Sequence, residues 1–324
     1  MSTIPPQRTP RPAAALPVGA PPMGAVQLGA AGISDADFQL LARIVHAESG
    51  ICLTAAKKGL VVSRLARRLR ELALPDMAAY CRYLQSRGGE EERGRLISSL
   101  TTNVTRFFRE EHHFRALEQE VLPPLLAAAA RGRRVRLWSA GCSTGQEPYS
   151  LAMTVLGLMP DAAARDVRIL ATDIDPQVLA VAERGVYPDE ALAPLGPERL
   201  RRFTTPVEGA PGMGCVGPAP RALISFAPLN LIGQWPMRGT FDVIFCRNVV
   251  IYFDAETQDR LWARFARILP QGGELFIGHS ERIGRAALPC FETAGITRYR
   301  RTAVAPPAEP TSPPPASRQK ETPA

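Results

Sequence analysis

Residues 135–150 read VRLWSAGCSTGQEPYS. Val135, Leu137 and Trp138 make an apolar, β-prone start. Ser139-Ala140-Gly141-Cys142-Ser143-Thr144-Gly145 is then a turn of small residues. Gln146-Glu147-Pro148 opens an amphipathic helix to about Leu158, with proline early, where its missing N–H costs little. A strand, a small-residue turn and a helix start form the nucleotide-facing corner of a doubly wound α/β domain. Backbone can approach a ligand at such a turn, and the helix end offers free N–H groups. Gly-x-x-x-Gly alone also fits any tight turn, so the remaining chain has to decide.

Downstream, strand and helix alternate. Val167–Thr172 reads as a strand ending at Asp173-Ile174-Asp175-Pro176, followed by a helix over Gln177–Arg184. Asp173 stands where this fold places a carboxylate for ribose hydroxyls, and Asp175 suits the helix cap. Residues 186–222 interrupt the pattern with many prolines and glycines around short pieces such as Arg202-Phe203-Thr204, which points to a lid or docking subdomain. The alternation resumes at Leu223–Phe226 and Pro228-Leu229-Asn230-Leu231. Phe241–Cys246 is continuously apolar, as a doubly buried parallel strand is, and runs into Arg247-Asn248-Val249-Val250-Ile251-Tyr252-Phe253-Asp254. A helix over about Ala255–Leu269, a strand at Glu274–Gly278 and a closing strand within Phe291–Arg300 complete the domain.

Upstream, the chain reads as helices. Ser34-Asp35-Ala36-Asp37 is a capping-type start with Phe38, Leu41, Ile44 and Val45 at helical spacing. A second helix from near Thr54 to about Leu72 carries Leu65, Leu69 and Leu72 on one face. Arg64, Arg67 and Arg68 lie on another, a one-sign stripe that is either a solvated face or a dock for an acidic partner. Two further helices cover about Met77–Arg87 and Glu90–Leu100. In Thr101–Glu110, polar Asn103, Thr105 and Arg109 interleave with Phe107 and Phe108, giving either an anchored linker or a segment laid across a pocket. A helix follows from about Glu111 to Ala130. Residues 1–31 and the tail from Thr302 are rich in Pro, Ala and Gly without periodicity and are expected to be disordered.

The 324 residues suit two domains. No apolar run approaches the roughly 20 residues of a membrane span, and no secretory pattern opens the chain, so cytoplasm is the expected location. The six cysteines are scattered without a C-x-x-C pair and read as thiols of a reducing compartment. A net charge of +8 favours an acidic partner, nucleic acid or protein.

T-N-x-T-x-F-F-R, S-A-G-C-S-T-G-x-E-P-Y-S, A-T-D-I-D, F-x-x-x-N-L, F-D-V-I-F-C-R-N-V-x-I-Y-F and G-G-x-L-x-x-G-H-S-E occur in that order. Together they resemble the chemotaxis-receptor glutamate methyltransferases, the CheR family, over about Ile33 to Arg301. The resemblance implies an all-α N-terminal domain (32–100), a linker and helix (101–134), and a Rossmann-like α/β domain (135–301) binding S-adenosylmethionine. It also implies a small antiparallel β subdomain at about 199–226. There the family's receptor-tethering members carry a Gly-rich loop, which Pro206–Gly212 matches in glycine content but not in pattern. By motif, the cofactor contacts fall on Asn103, Thr105, Arg109, Glu147, Asp173, Asn230, Leu231, Arg247 and Asn248, with no metal.

The implied reaction is methyl transfer from the sulfonium of S-adenosylmethionine to a glutamate carboxylate, leaving S-adenosylhomocysteine. A glutamate of pKa about 4.3 is already ionised at neutral pH, so no general base is required. Arg109 and Tyr252 are the expected groups orienting the acceptor. Arg64, Arg67 and Arg68 are the expected dock for the acidic helical bundle of a chemoreceptor's cytoplasmic part, with the enzyme a monomer, not inserted in the membrane and not bound to nucleic acid. Rival readings are a nicotinamide-dependent dehydrogenase, which the missing G-x-G-x-x-G and proton-transfer pair disfavour, and a methyltransferase-fold protein acting on RNA or as a non-catalytic adaptor.

Overall fold

The computed structural model describes residues 32–307. The expectation for residues 1–31 and 308–324 lies outside the described residues. The described start of the tail expected from Thr302 departs from that expectation: Thr302 N–H donates to Cys290 O at 2.9 Å, and an Arg301 guanidinium N–H donates to Val304 O at 2.7 Å.

The first unit is helical. α1 (Asp35–Ser49) starts on Ser34, whose Oγ accepts from Asp37 N–H, and stops at Gly50 in the left-handed region. α2 (Lys58–Glu71), α3 (Met77–Gln85) and α4 (Glu90–Leu100) follow. Phe38, Leu41, Val45, Leu65, Leu69, Tyr80, Leu84 and Leu96 form their common core. Each such side chain contributes about 1.5–3 kcal/mol by leaving water.

The helix expected over Glu111–Ala130 is interrupted. α5 (Glu111–Ala116) passes through a π turn at Leu117–Val121 into α6 (Leu122–Ala130), with Pro123 and Pro124 at the start of the last segment. Neither proline has an N–H to give, and the π turn accommodates them.

The second unit is a seven-stranded sheet with helices on its faces. In chain order it comprises β1 (Val135–Ala140), α7 (Gln146–Leu158), β2 (Val167–Asp173) and α8 (Pro176–Arg184). β3 (Val186–Pro188), α9 (Asp189–Leu192), α10 (Gly196–Phe203), β4 (Thr204–Pro206), β5 (Met213–Val216) and α11 (Pro218–Ala222) make the excursion. β6 (Ile224–Pro228), β7 (Val243–Cys246), α12 (Ala255–Ile268), β8 (Glu274–Ile277), β9 (Phe291–Gly295) and β10 (Arg298–Arg301) close the domain. The sheet order is β6-β2-β1-β7-β8-β10-β9, parallel from β6 to β8 and antiparallel at the β10–β9 hairpin. The strand order reverses direction at β1, so a crevice opens between the carboxyl ends of β1 and β7.

The antiparallel subdomain is a three-stranded sheet, β3-β5-β4, beginning at Val186. It therefore does not span 199–226 as expected. Residues 196–203 are helix, with Arg202 and Phe203 at its end, and Ile224–Pro228 pairs in parallel with β2 as the main sheet's edge strand. Strands of three or four residues are too short for alternation to show in sequence. The single closing strand expected at Phe291–Arg300 is the β9–β10 hairpin.

Two cores flank the sheet. Trp138 is fully buried on one side, its indole N–H donating to Thr172 Oγ1 at 2.9 Å, among Trp235, Phe241 and Phe265. On the other side α7 is buried along nearly its whole length, between the sheet, α5 and the excursion.

Candidate active site

A cleft of about 920 Å³, counting its open mouth, lies at the carboxyl ends of β1, β2, β6 and β7. β1 delivers the turn. Gly141 has φ +87, and a Cβ on it would lie 2.4 Å from Val249 Cγ2, so only glycine lets the two segments meet. Ser143 N–H then points at Asp173 Oδ2, 2.8 Å away, while Asp175 N–H donates to Asp173 Oδ1 at 3.0 Å. Burial pushes the Asp173 carboxyl above its usual range, and these N–H groups pull back toward the ionised form. Each carboxylate oxygen keeps a second lone pair for a ligand.

Asp175 caps α8, accepting from Gln177 N–H at 2.9 Å. It also accepts from Ser98 Oγ–H of α4 at 2.8 Å and from Asn103 Nδ2–H at 3.3 Å. This one carboxylate fastens the helical unit and the Thr101–Glu110 segment to the sheet unit.

Both readings of that segment hold together. Phe107 and Phe108 are buried in the core, and Phe108 N–H donates to Ser150 Oγ at 3.0 Å. Thr101, Thr102, Asn103, Val104, Thr105 and Arg109 line the cleft. Arg109 is partly exposed and folds back on its own segment, donating to Val104 O at 2.9 Å.

Beneath Arg109 lies a charged knot. Arg247, buried, donates to Glu147 Oε2 at 3.1 Å, sits 3.3 Å from Glu110 Oε2, and donates to Arg109 O. Ser139 Oγ–H donates to the other Glu147 oxygen at 2.7 Å. Burial raises the Glu147 carboxyl while Arg247 opposes the shift. Ligand-type atoms of Glu110, His112 and His113 lie within 4.8 Å of one another. The cation beside Glu110 is already the Arg247 guanidinium, so we do not read a metal centre there. His113 Nε2 lies 3.1 Å from Ile296 O, a pure acceptor, so Nε2 carries a proton, and burial favours the neutral ring.

Asn230, Leu231, Asn248 and Tyr252 complete the lining, with Ile174, Leu229 and Val249 as an apolar wall. Asn230 Nδ2–H donates to Glu48 O at 2.6 Å, and its Oδ1 accepts from Ile232 N–H at 3.1 Å. Tyr252 lies in a one-turn 3₁₀ segment (Val250–Tyr252) with Lys57 Nζ 5.6 Å from its ring centre. All nine residues expected at a cofactor, and Tyr252, therefore face one cleft.

The docking stripe does not survive as three free arginines. Arg68 is withdrawn into an ion pair with Glu92, whose side chain is 2% exposed, and also pairs with Glu71. Arg64 donates to Leu100 O, Thr101 O and Thr102 Oγ1. Arg67 stays on the surface, 2.7 Å from Glu71. Sequence spacing put the three on one face but gave no sign of Glu92, which is 24 residues away.

Sequence reading missed Ser49 and Ile51, which bring the helical unit into the cleft wall, and Glu110 and Glu281. Glu110 closes the Thr101–Glu110 stretch and Glu281 the G-H-S-E string. Nothing local marks Ser49 or Ile51.

The set offers two carboxylates, carboxamides, a guanidinium and an apolar wall. That matches a nucleoside joined to an amino-acid group: hydroxyls and an ammonium for the carboxylates, a carboxylate for the arginine, and a flat ring for the wall. Residues 103–299 match the family described as "CheR methyltransferase, SAM binding domain", and residues 36–101 match "CheR methyltransferase, all-alpha domain". A "Probable chemotaxis protein methyltransferase" of Rhizobium etli is 49% identical over 260 residues, covering 80% of this chain and 97% of the relative. The "Chemotaxis protein methyltransferase" of Klebsiella aerogenes is 42% identical, covering 82% and 90%, and that of Escherichia coli 43%, covering 77% and 85%.

Proposed function

The chain belongs to the CheR family of S-adenosylmethionine-dependent chemotaxis methyltransferases, and from that premise we propose that its cleft esterifies glutamate side chains of a chemoreceptor's cytoplasmic helical bundle. The observation that carries this reading is the convergence of residues from five separate motifs on one cleft at the strand ends.

Asp173 would hold the ribose hydroxyls, Glu147 the methionyl ammonium, and the backbone beside Asn230 and Leu231 the adenine. Asn103, Thr105, Arg247 and Asn248 complete the cofactor's surroundings. The bound cofactor supplies an electrophilic methyl group on a sulfonium. The protein's own work is to bring a carboxylate in line with it and keep water away. Arg109, partly exposed at the mouth, and the Tyr252 hydroxyl would orient the acceptor. Placement of this kind is worth several kcal/mol, up to about 7–11 for ideal alignment. Arg67, on the outer face of α2, would attract an acidic bundle.

The test is methyl transfer from labelled S-adenosylmethionine to a purified receptor cytoplasmic fragment. Label in the protein fraction that alkali releases as methanol supports a glutamate ester. Label in RNA, or none anywhere, selects a rival reading. Tyr252→Phe should lower kcat and kcat/KM together by about 10- to 150-fold, the value of a hydrogen bond to a charged group. A wild-type single-turnover rate in that variant would leave Arg109 as the sole orienting candidate.

A further inference from the structure

Strand β7 ends at Cys246, and the chain must then leave the sheet with its N–H groups unpaired. The N–H groups of Asn248, Val249 and Val250 all donate to the carboxylate of Glu281, at 3.0, 2.9 and 2.9 Å. Gly278 N–H, just past β8, donates to the same group. Glu281 is buried and does not itself line the cleft. Asn248 has φ +59, in the left-handed region that asparagine enters more readily than most side chains but that outside support still stabilises. Successive N–H groups around a left-handed residue make an anion-binding nest. Here the anion is a side chain of the same protein.

We propose that Glu281 is a positioning residue for methyl transfer, acting as the internal anion that holds Asn248–Tyr252 in the shape the cleft requires; this rests on the reading that the cleft takes the methyl donor. The segment it holds supplies Asn248, Val249 and Tyr252 to the cleft, and Val249 meets Gly141 of the opposite turn. A single carboxylate therefore fixes one wall of the cofactor site against the other. A carboxamide of the same size keeps one accepting oxygen and turns an NH₂ toward backbone N–H groups, so donors face donors.

Glu281→Gln and Glu281→Asp in the full chain separate positioning from general support. Calorimetry with S-adenosylhomocysteine, single-turnover transfer to the receptor fragment and thermal unfolding are read for each. Well below its unfolding midpoint, Glu281→Gln should bind S-adenosylhomocysteine about tenfold or more weakly and transfer more slowly. Glu281→Asp, which keeps the charge, should recover part of both. A Glu281→Gln protein that melts earlier but binds and transfers like wild type would overturn the inference, leaving Glu281 a structural anchor. If that variant does not fold, amide exchange in wild type decides: exchange at Asn248, Val249 and Val250 should slow further when S-adenosylhomocysteine binds, and equal rates would overturn it. Wild type that binds no S-adenosylhomocysteine would instead sink the reading of the cleft.

Discussion

Asp173 is held by two backbone donors before any ligand arrives, so its contribution to binding comes from the lone pairs that remain. Asp173→Asn keeps one acceptor and removes the charge. It should weaken S-adenosylhomocysteine binding by about 1.5–3 kcal/mol, measured by calorimetry, and an unchanged affinity would remove Asp173 from the ribose. His113 offers a second measurement at this scale. Burial, with Arg247 nearby, pushes its imidazole down to about 3. Between the unfolded value near 6.5 and about 3, the unfolded chain takes up a proton that the folded chain refuses. Stability therefore falls as the pH drops through that window, by about 1.4 kcal/mol per pH unit at most. Urea unfolding at pH 6.5 and 5.0 should show about 1.5 kcal/mol more loss in wild type than in His113→Gln, which has no proton to take up. Equal losses would mean that His113 is protonated inside the fold. Asp173 was legible from its place at a strand end. The state of His113 was not, because Ile296 and Arg247, which set it, lie far along the chain.

On α2 the apolar spacing gave Leu65 and Leu69 of the buried face; Val61 completes it, while Leu72, expected with them, lies past the helix end and is half-buried. Polar spacing says where side chains start and not where long ones end. Arg68 reaches inward to Glu92, which also accepts from Tyr80 Oη–H at 2.9 Å. Removing one member of a buried pair strands the other charge, so Arg68→Ala should cost about 3–5 kcal/mol of stability. Arg67→Ala, at an exposed pair, should cost at most about 1 kcal/mol. The two substitutions must therefore be kept apart when receptor docking is tested. Arg67→Ala should raise the apparent KM for the receptor fragment and leave S-adenosylhomocysteine affinity alone. Wild-type turnover at sub-saturating receptor should fall with added salt, since exposed charges are screened beyond about 10 Å at 0.1 M. Normal receptor kinetics in Arg67→Ala would make this face of α2 plain solvated surface. The excursion between α8 and β6 shows the same limit of local reading. Its prolines and glycines announced an insertion, but the pairing of Val186–Pro188 with Met213–Cys215 is a long-range fact.

The two units are joined around the cleft by contacts that converge on the end of α1. Ile51 bridges to Phe253, and Cys52 N–H donates to Tyr252 O at 2.7 Å. His46 Nε2 lies 2.6 Å from Asp254 Oδ2, and Asn230 reaches Glu48 O. Gly50 sits at the centre of this junction with φ +75. A Cβ there would lie 2.9 Å from Ile232 Cγ2 and 3.3 Å from Thr257 Cγ2. Gly50 does not line the cleft, but its neighbours Ser49 and Ile51 do. Gly50→Ala should thus act on ligand binding through the seating of one unit on the other. Gly272→Ala is the matching control: φ is +81, and a Cβ there meets nothing within 4 Å. Both variants incur the left-handed backbone cost of about 1 kcal/mol, which lowers Tm by about 2–4 °C in a unit of roughly 150–250 residues and by less in a larger one. Gly50→Ala alone should also weaken S-adenosylhomocysteine binding, by about three- to tenfold, because misplacement of about 1 Å at a site is enough for such losses. If both variants lose stability and keep wild-type affinity, the helical unit is a neighbour of the cleft and not part of its binding energy.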